Sequence, residues 1–260
     1  MIDISMLQEL LVSPDTRFLL MAGCGIYLIA GIIKGTLGIG FPTAAVSLLA
    51  QVADARTAII VVIVPMLITN LWQVIRSADF VTVFTEHRIL ITLMVAGIAV
   101  FSQVSAQVPI GTLTAILGAV VVIYAIYSLL DKPIHFAPAH DKPVQAVVGL
   151  SAGVMGGMVS VWAPPILFYL RAKGLQKEQF VATVGVLLLS GSSVLVLGYW
   201  HSGVLTSGLW LISCLLVIPA LAGFRIGEII RRRLSSQRFE RLLLWFFLVM
   251  GLNLIRRAVF

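Results

Sequence analysis

Long apolar runs separated by short polar segments dominate the chain. No Asp, Glu, Lys or Arg occurs between Arg56 and Arg76, Arg88 and Asp131, Lys142 and Arg171, Glu178 and Arg225, or Arg241 and Arg256. Each window holds one or two apolar helices, and about 20 such residues cross a hydrocarbon core. The first run, 17–34, breaks in Gly35-Thr-Leu-Gly38-Ile-Gly40-Phe-Pro42. The apolar piece after it, 43–50, covers only about half the core at 1.5 Å per residue. Spans are predicted at 56–76, 88–107 and 109–130, followed by a polar loop at 131–143. The pattern then restarts. An apolar stretch at 144–159 leads to a break at Trp162-Ala-Pro164-Pro165 and a half-helix at 166–171. Spans are predicted at 178–200, 205–229 and 237–257.

The chain therefore reads as two copies of one unit. Gly31-x3-Gly35-x2-Gly38 aligns with Gly149-x3-Gly153-x2-Gly156 at an offset of 118, and Thr69-Asn70-Leu71 aligns with Ser192-Ser193-Val194 at 123. About five inserted residues in the second hairpin reconcile the two. The organisation predicted is an N-terminal surface segment at 1–16, a first transmembrane repeat at 17–130, a linker at 131–143 and a second repeat at 144–260. The fold class is an all-α polytopic membrane protein of two inverted repeats. Each repeat is a broken-helix, re-entrant-like hairpin plus three transmembrane helices.

Composition agrees: 60% of residues are hydrophobic and 11% charged, against about 25% charged in soluble domains. The net charge of +7 points to orientation rather than to nucleic acid, because the basic residues sit almost entirely in short loops. Thirteen Lys and Arg residues fall in loops 76–88, 131–143, 171–178 and 225–241, against four at Arg17, Arg56, Arg256 and Arg257. The first set is assigned to the cytoplasm of a bacterial inner membrane, which leaves the N-terminus periplasmic. The tally works only if each hairpin returns to its own side. Two repeats with an odd number of crossings then take opposite orientations, the plan of many secondary transporters. The N-terminus has three acids and no basic residue before Arg17, so it lacks a basic signal-peptide region. Cys24 and Cys214 read as free thiols in apolar helices.

Nucleotide-driven and metal chemistry find no support. Gly35-x4-Gly40 is followed by Phe-Pro rather than Lys-Ser/Thr, so it is no phosphate-binding loop. His135 and His140, in the polar loop, read as solvated, as do His87 and His201 at helix ends. No cofactor is expected. A membrane-embedded enzyme would need a nucleophile–base pair or metal cluster within the spans, and the sequence places none there.

The glycine breaks carry the candidate chemistry. Broken backbone at membrane depth is tolerated where protein or a water-filled cavity satisfies it. The proline-led helix starts after Gly40-Phe41-Pro42 and Trp162 offer unpaired N–H groups and partial positive charge, a ready anion site. Lys34 adds a fixed cation beside the first break, at an insertion cost of about 2.5 kcal/mol or more. The candidate substrate-binding set is Lys34, Gly35, Thr36, Gly38, Gly40, Phe41 and Pro42 from the first hairpin. Gly156, Gly157, Met158, Ser160 and Trp162 come from the second, with Asn70, Gln73, Ser192 and Ser193 from the following spans. The competing readings are close helix packing at the glycines, snorkelling of Lys34, and interhelical hydrogen bonding by the polar residues. Arg76 reads as a topology anchor. Each hairpin is expected to gate its own side, the first the periplasmic face and the second the cytoplasmic face.

The segment Gly31-Ile-Ile-Lys34-Gly35-Thr-Leu-Gly38-Ile-Gly40-Phe-Pro42 resembles the signature of the TauE/SafE sulfite-exporter family. Gly149-x3-Gly153-x2-Gly156-Gly157 with Ala163-Pro164-Pro165 resembles that family's second-half signature, and the likeness spans about 17–257. It departs in carrying Phe41, and Met158-Val159-Ser160, where further glycines would stand. The resemblance implies transport of sulfite, thiosulfate or an organosulfonate, with export across the inner membrane. The expected partners are that small inorganic or organosulfur anion and membrane lipid, not nucleic acid, and a homo-oligomer is compatible with the sequence. An anion channel, an importer of a sulfur-containing or carboxylate anion, and a non-transporting scaffold are the alternatives.

Overall fold

The computed structural model describes residues 14–77, 80–105, 107–130, 137–201, 207–231 and 236–259. Thirteen α-helices follow in order: α1 Pro14–Leu37, α2 Phe41–Leu49, α3 Ala55–Val61, α4 Ile63–Ser77, α5 Phe80–Glu86, α6 Arg88–Ser105, α7 Ile110–Leu130, α8 Asp141–Val159, α9 Ala163–Ala172, α10 Lys177–His201, α11 Ser207–Leu215, α12 Val217–Arg231 and α13 Ser236–Val259. No strand occurs among the described residues. Among the described residues, six segments are long and apolar enough to cross a membrane: 17–37, 55–76, 88–105, 110–130, 179–201 and 208–231. Most of the predicted N-terminal surface segment, and His135, lie outside the described residues.

Two spans are interrupted in the same way. A turn at Val62 separates α3 from α4 three residues before Pro65, and a turn at Leu216 separates α11 from α12 three residues before Pro219. Proline removes one helical N–H and crowds the carbonyl four residues back. At Pro65 that carbonyl belongs to Val61, and Ser213 Oγ donates to it at 2.8 Å while accepting from Val64 N–H at 3.2 Å. The kink in one span is thus satisfied from the other.

Glycines set how closely the helices approach. α1 runs alongside α12, with Gly31 against Ala220 and Gly223, and Gly35 against Phe224 and Gly227. α8 runs alongside α6, with Gly149 against Leu90, Gly153 against Gly97 and Gly157 against Phe101. A Cβ at Gly35 would overlap the Phe224 carbonyl, and one at Gly153 would come within 2.8 Å of the Gly97 Cα. Small residues at such contacts let backbones meet without the hydrophobic driving force that lipid does not supply. α7 pairs with α13 and α4 with α10.

The two breaks each place a positive-φ residue just after the first helix, and they differ at the next helix start, where the N-cap is Gly40 (φ 89°) in one and Trp162 (φ −117°) in the other. α1 ends at Leu37 and α2 begins at Phe41 after Gly38 (φ 82°) and Gly40 (φ 89°). α8 ends at Val159 and α9 begins at Ala163 after Ser160 (φ 57°), the one non-glycine residue with positive φ among those described. Gly38 and Ser160 are 122 residues apart, as are Phe41 and Ala163 and the hydrogen-bonded pair Asn70 and Ser192. A single spacing of 122 residues thus separates the two breaks, the helix starts after them and this hydrogen-bonded pair.

Candidate functional site

Lys34 occupies the last turn of α1 and is 0% exposed. Its Nζ donates to Thr69 Oγ1 at 3.2 Å and to Asn70 Oδ1. The Phe224 ring lies 6.0 Å away on α12. The side chain therefore turns inward to α4 rather than out to an interface. Asn70 is held in turn by α10, its Nδ2 donating to the Leu188 carbonyl at 3.1 Å and to Ser192 Oγ at 3.2 Å. A buried ammonium has three N–H groups to satisfy, and two of these bonds go to α4.

A cavity of about 240 Å³ reaches Lys34, lined also by Gly38, Gln73, Arg76, Val181, Phe224, Glu228 and Arg231. Its mouth lies at the Arg76–Arg231 end of the bundle. Glu228 pairs with Arg76 at 3.6 Å and with Arg225 at 2.9 Å, and the Arg76 guanidinium stacks 4.9 Å over the Trp72 ring. Gln73 Nε2 donates to the Val181 carbonyl at 3.0 Å, bringing α4 against α10 at the wall. Three basic side chains thus face one carboxylate around this space, and in a low-dielectric surround such an imbalance favours an anion.

The other predicted residues fall into separate groups. Gly40 is the N-cap of α2, and the Phe41 ring packs edge-on to Tyr27 at 5.7 Å. Thr36 Oγ1 bonds the Ile32 carbonyl at 2.8 Å and the Gly227 carbonyl at 3.4 Å. Gly35, Gly156 and Gly157 are packing positions, and a Cβ at Gly156 would meet Ile98 and Trp162. Pro42 is buried in the first turn of α2. At the second break, Ser160 and Trp162 are 0% exposed, and Ser160 Oγ lies 3.4 Å from the Ile59 carbonyl. Tyr199 closes over this region, donating to the Gly157 carbonyl at 3.2 Å. Met158 offers its carbonyl to Ser105 Oγ at 3.2 Å. Ser192 backs Asn70, whereas Ser193 is exposed on α10 and bonds its own helix at Leu189.

The structure thus gathers Lys34, Gly38 and Gln73 around one cavity, with Asn70 and Ser192 behind Lys34. Arg76, Val181, Phe224, Glu228 and Arg231 join them and were absent from the predicted set. Helical spacing carried a signal for most of these. Asn70, Gln73 and Arg76 recur every third residue, and Phe224, Glu228 and Arg231 stand at i, i+4 and i+7, each set on one helix face. Gly38 shares this cavity with Arg76 and Arg231.

No curated protein and no solved structure matches the chain. The family model for the sulfite exporter TauE/SafE matches residues 23–254, which include both hairpins, Lys34, Asn70 and every residue lining the cavity. With its apolar helices and two broken hairpins, the chain is a multi-pass membrane protein that belongs to the sulfite exporter TauE/SafE family.

Proposed function

We propose that the protein exports a small anion, sulfite, thiosulfate or an organosulfonate, across the bacterial inner membrane by alternating access. Membership of a sulfite exporter family supports the transporter class and the anion. The observation that carries the site is Lys34, buried at the inner end of a cavity of about 240 Å³ with Arg76 and Arg231 among its lining residues. Water takes about 30 Å³ per molecule in the liquid, so an oxyanion and part of its hydration shell fit. Lys34 faces the anion's oxygens with Arg76 and Arg231 along the wall, and Gly38 lets the backbone come close. In this reading the two copies are inverted, and the bundle is open at the Arg76–Arg231 end, taken as cytoplasmic. The buried Ser160–Trp162 break is the closed outer gate. An anion leaving a negative interior gains about 2.3 kcal/mol per charge per 100 mV, so export needs no nucleotide.

The test is flux of labelled sulfite, thiosulfate and organosulfonates through proteoliposomes of the purified protein. Saturable, potential-driven flux of one of them, inhibited by the others, is expected. Flux that rises linearly with concentration would make it a channel. Absence of both flux and binding for all three would overturn the reading.

A further inference from the structure

A second polar cluster lies away from the Lys34 cavity, where α5, α6, α8 and α9 meet. His87 sits at the α5–α6 corner and is 1% exposed. Its Nδ1 lies 3.1 Å from the Val83 carbonyl. A carbonyl only accepts, so Nδ1 carries the proton and Nε2 the free lone pair. That Nε2 is buried and has no hydrogen-bond partner. The ring packs edge-on to Tyr169 of α9, with centroids 5.8 Å apart.

The surrounding groups tie the second hairpin to this corner. Tyr169 donates to Asp141 Oδ1 at 2.9 Å, and Gln145 Nε2 donates to Asp141 Oδ2 at 2.8 Å and to the Glu86 carbonyl at 3.1 Å. Lys173, which caps the C-terminus of α9, bridges Glu86 at 3.1 Å and Asp141 at 3.4 Å. Two carboxylates, Glu86 from α5 and Asp141 from α8, thus oppose the one ammonium of Lys173, while Arg88 and Lys142 are exposed. Burial alone would raise the Asp141 carboxyl, but the bonds from Gln145 and Tyr169 and the Lys173 charge outweigh it and hold it below the ordinary range. The basic Nε2 of His87 is buried beside these groups.

α9 also has space behind it. Pro164, Pro165 and Phe168 line an apolar groove of about 400 Å³ against α7 and α8, while Ile166, Leu167 and Leu170 are buried in the core.

We propose that His87 Nε2 is a proton-binding site and that its protonation releases α9 from the α5–α6 corner, so that acid unlocks the second hairpin. The added N–H has no acceptor while Tyr169 covers the ring, and a buried cation without a partner is costly. Undocking exposes the ring to water. Burial, the largest influence, lowers the His87 pKa in the docked state, against the Val83 carbonyl and Glu86, which raise it. The undocked state therefore binds more protons, and docking weakens as pH falls below the ordinary histidine value of about 6.5, by up to tenfold per pH unit for one proton.

The test needs no substrate, so it stands apart from the transport reading. Spin labels are placed at Phe84→Cys and Ala172→Cys in the full chain in nanodiscs, with Cys24 and Cys214 replaced by alanine. Electron–electron distances are measured from pH 7.5 to pH 5.5. The expected result is a longer-distance population that grows as pH falls, and that is absent in His87→Phe, which keeps the ring contact but cannot titrate. His87→Gln serves as the second non-titrating variant should the first not fold, and is expected to show no pH response. A distance distribution unchanged by pH in the His87 protein, or an equal acid response in a non-titrating variant, overturns the proposal.

Discussion

Asn70 Nδ2 donates to Ser192 Oγ at 3.2 Å, across 122 residues of sequence. The same 122-residue step separates Gly38 from Ser160. Asn70 has Lys34 on its other side, and at Gly156, the same step beyond Lys34, the Trp162 ring leaves little room for a Cβ.

Asn70 is expected to separate folding from anion binding. Asn70→Leu removes the carbonyl oxygen that accepts from Lys34 and leaves an ammonium buried without it. The cost is about 1–3 kcal/mol or more, read as a lower Tm. Asn70→Asp keeps an acceptor and gives Lys34 a counter-ion. It should stay folded yet bind sulfite at least tenfold more weakly, because the site's charge is cancelled. Full sulfite affinity in Asn70→Asp would mean that the anion binds elsewhere.

Lys34→Ala should lose a charge-assisted contact worth about 1.5–3 kcal/mol, hence at least tenfold in affinity by calorimetry. Lys34→Arg should retain part of that affinity and part of the flux. Unchanged binding in a properly folded Lys34→Ala protein would assign the lysine a purely structural role with Thr69 and Asn70.

Glu228→Gln removes the one carboxylate at the cavity. Its bridges to Arg76 and Arg225 are partly exposed, so stability should change by less than about 1 kcal/mol. Freed of the carboxylate, Arg76 should attract the anion more strongly. The expected outcome is tighter binding at low ionic strength, by about two- to tenfold, that fades as salt screens the mouth. Weaker binding at low salt would show that Glu228 positions Arg76 rather than masking it.

The breaks should respond in opposite senses to Cβ. Gly38 has φ 82° and open space, with Val181 Cγ2 3.5 Å from an added Cβ. Gly38→Ala should therefore cost about 1–2 kcal/mol of backbone strain. Ser160, at φ 57°, already bears that strain, so Ser160→Gly should leave Tm unchanged or raise it. A fall in Tm on Ser160→Gly exceeding that on Gly38→Ala would mean that the Ser160 hydroxyl outweighs the backbone term.

The direction of the opening can be read from a cysteine at Val181, which lines the cavity. In a background lacking Cys24 and Cys214, a membrane-impermeant thiol reagent should label Val181→Cys from the cytoplasmic side, and sulfite should slow the reaction. Labelling only from the periplasmic side would reverse the topology assigned here.

The run lengths of apolar residues, the proline-led helix starts and the paired glycine breaks were all local properties, and the helices, the breaks and the family could be read from them directly. Hydrocarbon thickness and backbone hydrogen-bonding leave a membrane chain few alternatives, which is why these elements lie within a few residues of their predicted bounds. Lys34 was legible for the same reason, since a cation inside an apolar run is conspicuous. What a lysine, a serine or a histidine faces is set by the helices packed around it, and those came only with the tertiary structure. It turned Lys34 to Asn70, left Ser193 on the surface and showed Gly35, Gly156 and Gly157 at close contacts. It brought Arg76, Glu228 and Arg231 to the cavity, and it buried His87, which sequence had placed at a solvated helix end. It also put one spacing of 122 residues between the positive-φ residues Gly38 and Ser160 and between Asn70 and Ser192, a spacing the glycines alone did not show because they recur along helices for packing.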